Sequence, residues 1–229
     1  MHPSEIQRMF DRLVDHYERL NHRLSLRIDH YWRRQTLRYL KPPVLDLCCG
    51  TGEVAALLHR FGLPGGVGLD FSEAMLRRAR ARWPNAQWVR ADALALPFAN
   101  GQFQTATCFF GLRNIAQPRR LFAEVYRVLR PGGRWVILDM ILPEAPVRWP
   151  YSLYLRHLLP RLAALWGAPR ADYEYLAESI HRLPVTEIRG LLQATGFALV
   201  DTRSLLGGTA GLWIAHKPPD TSVRVSFTP

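Results

Sequence analysis

The chain is expected to fold as an α/β protein. The expected architecture is a mostly parallel seven-stranded sheet with helices on both faces, a C-terminal antiparallel hairpin and an N-terminal helical extension. Three observations predict it. An apolar run from Val44 ends in the turn Gly50-Thr51-Gly52 and leads straight into a helix-like pattern. Five short apolar runs follow one another as far as residue 140, most of them separated by amphipathic stretches. Two further runs, 197–204 and 210–216, are joined through Gly207-Gly208 with no helix between them. Strands alternating with helices build a parallel sheet covered on both faces, and two runs joined by a glycine turn pair as a hairpin.

Residues 4–20 and 22–40 read as two amphipathic helices. In the first, Ile6, Met9, Phe10, Leu13, Val14, Tyr17 and Leu20 recur at spacings of three and four, with Ser4 as N-cap and Asn21 as a stop. Pro42-Pro43 closes this section, so 1–41 forms a helical lid before a sheet domain over 42–217. Strand 1 is expected at 44–48, a helix at 53–61, strand 2 at 67–70 and a helix at 73–82 capped by Ser72. Strand 3 is expected at 87–90, strand 4 at 103–109 and a helix at 118–129 that Pro131-Gly132-Gly133 ends abruptly. Strand 5 is expected at 134–140. Residues 147–166, with Trp149, Tyr151, Leu153, Tyr154 and Leu155, are too apolar for an ordinary surface helix. Helices are expected at 172–181 and 185–195, the latter stopped by Gly196. The tail 218–229 has no core pattern and is expected to be disordered.

Composition narrows the class. At 229 residues and 48% hydrophobic, the chain is long and apolar enough for one well-packed domain. No run is long enough to span a bilayer, and the polar opening has no apolar signal core, so a cytoplasmic protein is expected. Cys48, Cys49 and Cys108 are expected to be buried thiols, and no Cys/His spacing suits a metal. The net charge of +11 is nearly all arginine, with Lys41 and Lys217 the only lysines. Those arginines are dispersed over every segment, and no nucleic-acid module is recognisable, so no nucleic-acid partner is expected.

The glycine turn carries the chemistry. Gly50 and Gly52 permit a sharp bend and let backbone N–H groups approach a ligand. Asp46, four residues before Gly50, favours a cationic group, which points to S-adenosylmethionine (SAM) rather than a pyrophosphate. Gly50-Thr51-Gly52 followed by Ala55, with Asp70 about twenty residues on, also fits a loose dinucleotide fingerprint. On either reading Asp70 accepts ribose hydroxyls, Phe71 packs on the adenine, and Asp92 with Ala93 reaches the adenine edge.

Taken together, the glycine turn, Gly68-Leu69-Asp70-Phe71-Ser72, Asp92-Ala93-Leu94 and Arg127-Val128-Leu129-Arg130-Pro131-Gly132-Gly133 resemble the Rossmann-like class I SAM-dependent methyltransferases. Phe110-Gly111-Leu112-Arg113-Asn114 is more particular. With Met9-Phe10-Asp11, Trp32-Arg33-Arg34, Tyr175-Leu176 and Glu178-Ser179-Ile180, it resembles the UbiE/COQ5/MenG family of quinone C-methyltransferases, over about 6–217. That resemblance implies SAM as donor and an isoprenoid quinol as acceptor, demethylmenaquinol first, in menaquinone or ubiquinone biosynthesis; the alternatives are another small phenolic or lipid acceptor, or a SAM-binding scaffold without catalysis. It implies Arg113 as the group that holds the developing phenolate or orients a water, and Tyr17 as a substrate-facing tyrosine. His16, His22 and His30 are further candidates for the base, and Asp139 either faces the pocket or caps a loop. The chemistry requires no metal. Gln104, Glu53, Asp139-Met140 and Phe109 depart from the family pattern, and Gln104 and Phe109 put the fine cofactor geometry in question. A lipid-tailed acceptor has to be collected from a bilayer. The aromatic, arginine-edged segment 147–166 therefore suits transient contact with an anionic membrane surface, with a core or homodimer interface as the alternative.

Overall fold

The computed structural model describes residues 5–14, 28–165, 167, 169–182 and 184–220. Its sheet runs β3-β2-β1-β4-β5-β7-β6, with β1 Val44–Leu47, β2 Val67–Asp70, β3 Gln87–Arg90, β4 Phe103–Phe109, β5 Leu129–Met140, β6 Ala198–Leu205 and β7 Ala210–His216. The first five strands are parallel, and β7 is antiparallel to both of its neighbours. The strand order reverses between β1 and β4, which opens a crevice at their C-terminal ends.

Period-two alternation divides the core between the two faces. Trp135, Ile137 and Trp213 join one cluster with Leu121, Phe122 and Val125 of α5 (Pro118–Val128) and Ile188, Leu191 and Leu192 of α9 (Val185–Thr195). Val136, Leu138, Leu212 and Ile214 point the other way, toward α3 (Glu53–Arg60) and Trp32 of α2 (Ile28–Thr36). α4 (Glu73–Arg82) starts where expected, and the Ser72 hydroxyl accepts from Met75 N at 3.2 Å. Gly196 ends α9 at φ +94°.

A third cluster lies over the C-terminal edge of the sheet. Ile6, Met9 and Leu13 of α1 (5–14) pack with Leu155, Leu159, Tyr173 and Tyr175. The last four come from a helical run of α6 (Arg148–Leu153), a π turn (Tyr154–Leu158) and α7 (Leu159–Leu165), and from α8 (Arg170–Ser179). Asp11 accepts from the Ser72 hydroxyl, and Arg12 pairs with Asp172 at 3.1 Å, which ties α1 to both sides of the crevice.

Three expectations are corrected. The helix expected over 118–129 stops at Val128, because Leu129 already pairs with Phe103. The register then slips, so that Arg134 meets Thr105 and Gly132 (φ +74°) bulges out, and Pro131-Gly132-Gly133 interrupts a strand rather than a helix. The apolar segment 147–166 is helical but not uniform: Leu159 N bonds back to Tyr154 O, one residue further than in an α-helix. Pro160 accounts for the widened turn, since it lacks an N–H and its ring crowds the preceding carbonyl. Cys49 and Cys108 are buried as expected, but Cys48 is only partly buried. The helix expected over 4–20 is present over 5–14, and the one over 22–40 as α2 with a 3-10 turn at Leu37–Tyr39; residues 15–27 lie outside the described residues, as do 221–229 of the tail. No helix among the described residues is long and apolar enough to cross a membrane.

Candidate active site

Two cavities occupy the crevice. The first, of about 230 Å³, is walled by the ends of β1 to β4 and by α1. Gly50 sits at φ +53°, and a Cβ placed on it would meet nothing within 4 Å, so the backbone here faces open cavity. Gly52, at φ +89°, answers a different need: a Cβ there would stand 2.6 Å from the Trp88 ring. Cys48 (φ 53°) and Phe110 (φ 61°) also hold left-handed backbone on the cavity wall, a conformation unfavourable for L-residues.

Asp70 fastens the wall together. Its carboxylate accepts from Gly50 N and from Ser72 N, both at 2.9 Å, and burial pushes its pKa up against those bonds. Each oxygen keeps a lone pair for a ligand hydroxyl. Phe71, Asp92 and Ala93 line the same cavity, with Asp92 turned back to accept from Leu94 N at 2.9 Å. Thus Gly50, Asp70, Phe71, Asp92 and Ala93 come together on one wall, whereas Asp46, Thr51 and Gly52 do not line it. Thr51 is buried, and its hydroxyl has no partner among the described residues. Asp46 accepts from the Thr107 hydroxyl at 2.6 Å, and burial pushes its pKa up to about 7 despite that bond and the nearby Arg33 charge. Phe109 also lines this cavity, while Gln104 is far from it in role, donating to Gly132 O at 3.2 Å across the β5 bulge.

The second cavity is larger, about 340 Å³, and shares Phe10, Phe110 and Asn114 with the first. Its walls come from α1, α2, the run 148–165 and α8, and they are aromatic and aliphatic except for a few polar groups. Arg113 faces this cavity from the 3-10 turn Leu112–Asn114 and is 8% exposed. Its guanidinium pairs with Asp139 and donates to Phe110 O at 2.7 Å and Ser179 Oγ at 3.1 Å. Asp139 also accepts from the Arg113 and Met140 backbone N–H groups, so it serves as the anchor of Arg113 and does not line either cavity. His30 lies 3.9 Å from Glu53 on the half-exposed flank of α2. Tyr17, His16 and His22 fall outside the described residues.

The glycine-turn cavity lies beside an aromatic cavity that Arg113 faces, and the family model for the ubiE/COQ5 methyltransferase family matches residues 1–217. The chain belongs to the ubiE/COQ5 methyltransferase family. It is 40% identical over 225 residues to the demethylmenaquinone methyltransferase of Clavibacter sepedonicus, covering 94% of this chain and 91% of that one. It is 38% identical to the 2-phytyl-1,4-naphtoquinone methyltransferase of Thermosynechococcus vestitus, covering 93% and 100%. Among solved structures, a Thermotoga maritima SAM-dependent methyltransferase shares the fold at a TM-score of 0.67 and 20% identity, over 92% of this chain and 99% of that one. A chain of the Haloferax volcanii complex between a methyltransferase and its activator does so at 0.69 and 16%, over 91% and 97%.

The residues present suit the family's donor, SAM. The carboxylates of Asp70 and Asp92 with the open backbone at Gly50 suit hydroxyls and a cation, and the orphaned Thr51 hydroxyl marks a loop with hydrogen-bonding capacity in reserve. Among the described residues, no three His, Cys, Asp or Glu side chains gather as for a metal. Sequence reasoning missed Thr107, Tyr151, Asp172 and the cavity role of Arg33. Thr107 sits opposite Asp46 in the β1–β4 register, a pairing that no local pattern states. The others come from helices whose packing no local pattern encodes.

Proposed function

We propose that this methyltransferase carries the SAM methyl group to a ring carbon of demethylmenaquinol, as a step of menaquinone biosynthesis. The observation that carries the reading is the meeting of the two cavities at Phe10, Phe110 and Asn114. One is carboxylate-lined and sized for a nucleoside; the other is apolar and suited to a fused ring with an isoprenoid tail. The names of the relatives favour a naphthoquinol over a benzoquinol acceptor.

Bound SAM supplies an electrophilic methyl on a sulfonium. The chain's own part is to align the reactants, exclude water and favour the ionised ring oxygen. Asp46, Gly50, Thr51, Gly52, Asp70, Phe71, Asp92 and Ala93 form the donor's half in this reading. Arg113 biases the ring oxygen toward its anion through its positive field, while Asp139 and Ser179 keep the guanidinium in place. Tyr17 completes the acceptor's half, and residues 1–41 act as the lid over both. The run 148–165 lies on a membrane surface: Trp149 is 73% exposed, Leu153, Leu158 and Leu165 are exposed with it, and Arg148, Arg156 and Arg161 edge the patch.

The test is a methyl-transfer assay on the purified chain with SAM and a panel of reduced acceptors: short-chain demethylmenaquinol, the matching benzoquinol and a simple phenol. Turnover greatest on the naphthoquinol is expected. SAM binding without turnover on any quinol would refute the reading.

A further inference from the structure

The acceptor cavity holds polar atoms that no described residue satisfies. Asp172, at the start of α8, is 6% exposed and lines the cavity. Its Oδ1 accepts from Arg12 at 3.1 Å, but its Oδ2 is buried without a partner among the described residues. The Tyr151 hydroxyl, on α6, lines the same cavity and is likewise buried without a partner. So is Nε of Arg33, whose guanidinium otherwise pairs with Asp29 and lies over the Phe110 ring. A buried polar atom with no partner costs roughly 1–3 kcal/mol, and these three belong to residues that line one apolar cavity, where the polar groups of a ligand would satisfy them.

Their chemistry specifies that ligand further. Arg33 Nε offers a proton, a hydroxyl can offer or accept one, and a carboxylate oxygen only accepts. A quinone ring presents two carbonyls, which accept and cannot donate. A quinol presents two hydroxyls, which do both. Only the reduced ring satisfies Asp172.

We propose that Asp172 Oδ2 binds a ring hydroxyl of the acceptor and takes its proton, with Tyr151 donating to a ring oxygen, so that the site selects the quinol over the quinone. The proposal rests on the quinol reading above and adds the proton acceptor and the redox selectivity. The hydroxyl proton passes to Asp172, and the ring carbon beside the resulting oxyanion forms a bond to the methyl carbon. The methyl–sulfur bond breaks with its electron pair left on sulfur, which becomes neutral. The ring carbon then loses its hydrogen as a proton, the oxygen regains one from Asp172, and one proton is released overall. Ring and oxidation state are otherwise unchanged. Arg12 acts as the positioning residue that keeps the other carboxylate oxygen engaged.

The test uses the full chain with Asp172→Asn and Tyr151→Phe. Binding is read first, by tryptophan quenching with 1,4-dihydroxynaphthalene held reduced and with 1,4-naphthoquinone. Wild type is expected to favour the reduced ring at least tenfold, Asp172→Asn to lose most of that preference, and Tyr151→Phe to weaken the binding of both forms. Methyl transfer is read second: Asp172→Asn is expected to lose about 10²–10⁴-fold in kcat, the range of a general base, with SAM affinity and melting temperature near wild type. Equal binding of the two forms by wild type, or wild-type kcat in Asp172→Asn, overturns the proposal. Failure of the quinol reading alone is distinct: it leaves the Asp172-dependent preference in place and abolishes only turnover.

Discussion

The two cavities share three residues and little else in their construction. The donor cavity is made by strand ends. Its carboxylate Asp70 is held by two backbone N–H groups, and Gly50, Cys48 and Phe110 hold left-handed backbone at the wall, strained at the last two. The acceptor cavity is made by helices that meet from distant parts of the chain, and three polar atoms of its lining residues have no partner among the described residues: Arg33 Nε, Tyr151 Oη and Asp172 Oδ2. The first is a site finished by its own backbone. The second is finished only by what enters it. A site of the first kind can bind one invariant ligand tightly, whereas one of the second kind sets specificity by which unsatisfied groups it presents.

Arg113 is the point where the two kinds mix, because it faces the acceptor cavity yet is satisfied by protein. Replacing it by alanine strands Asp139 as a buried charge. Arg113→Ala is therefore expected to cost about 3–5 kcal/mol of stability, measured by denaturant unfolding. Adding Asp139→Ala should restore much of that loss but not methyl transfer. Recovery of both would reduce Arg113 to a structural role.

Next in size is Gly52→Val, which tests whether the donor cavity depends on close packing rather than on the ligand. The added Cβ would stand 2.6 Å from the Trp88 ring, and overpacking of this kind costs roughly 1–3 kcal/mol. Melting temperature and SAM affinity should fall together. An unchanged melting temperature would show that the donor wall does not depend on this close packing.

A third effect separates the halves by pH. With its pKa near 7, Asp46 is ionised above that value and attracts a cationic donor, and is protonated below it. SAM affinity should be level above about pH 7.5 and fall about tenfold per unit well below 7, a slope of one proton. Asp46→Asn should abolish the slope. The linked effect on folding has the opposite sign. An acid whose folded pKa lies above its ordinary 3.8 makes the free chain less stable as pH rises from about 4 to about 7. The smallest effect concerns the acceptor side alone: Trp149→Ser should weaken binding to vesicles rich in anionic lipid several-fold in a flotation assay, with transfer to a water-soluble short-chain quinol unchanged.

The same contrast governs what could be read from the sequence. Strand ends and glycine turns are local, and β2, β3, β4, α4, α9 and β7 fall on the expected residues. Asp70, Phe71, Asp92 and Ala93 follow from their places at the ends of those strands. The start of β5 was hidden because a bulge uses the residues, Pro131-Gly132-Gly133, that elsewhere end helices. The break in the run 148–165 was carried by Pro160, a residue that marks a disturbance without saying which kind. The acceptor wall was illegible because its contacts are long-range: Arg12 and Asp172 are 160 positions apart, and neither sits in a pattern that names the other. Asp46 was readable as an acid at the strand end but not as a buried one, since the Thr107 hydroxyl that satisfies it comes from β4.

In the proposed reaction the two cavities bring a SAM methyl and a quinol ring carbon together. Its most direct test is one reaction with SAM labelled by carbon-13 in the methyl group and short-chain demethylmenaquinol kept reduced, with the product examined by NMR. The expected result is a labelled methyl on the ring carbon beside a hydroxyl-bearing carbon. Label on oxygen, or no labelled product while SAM remains bound, would contradict it.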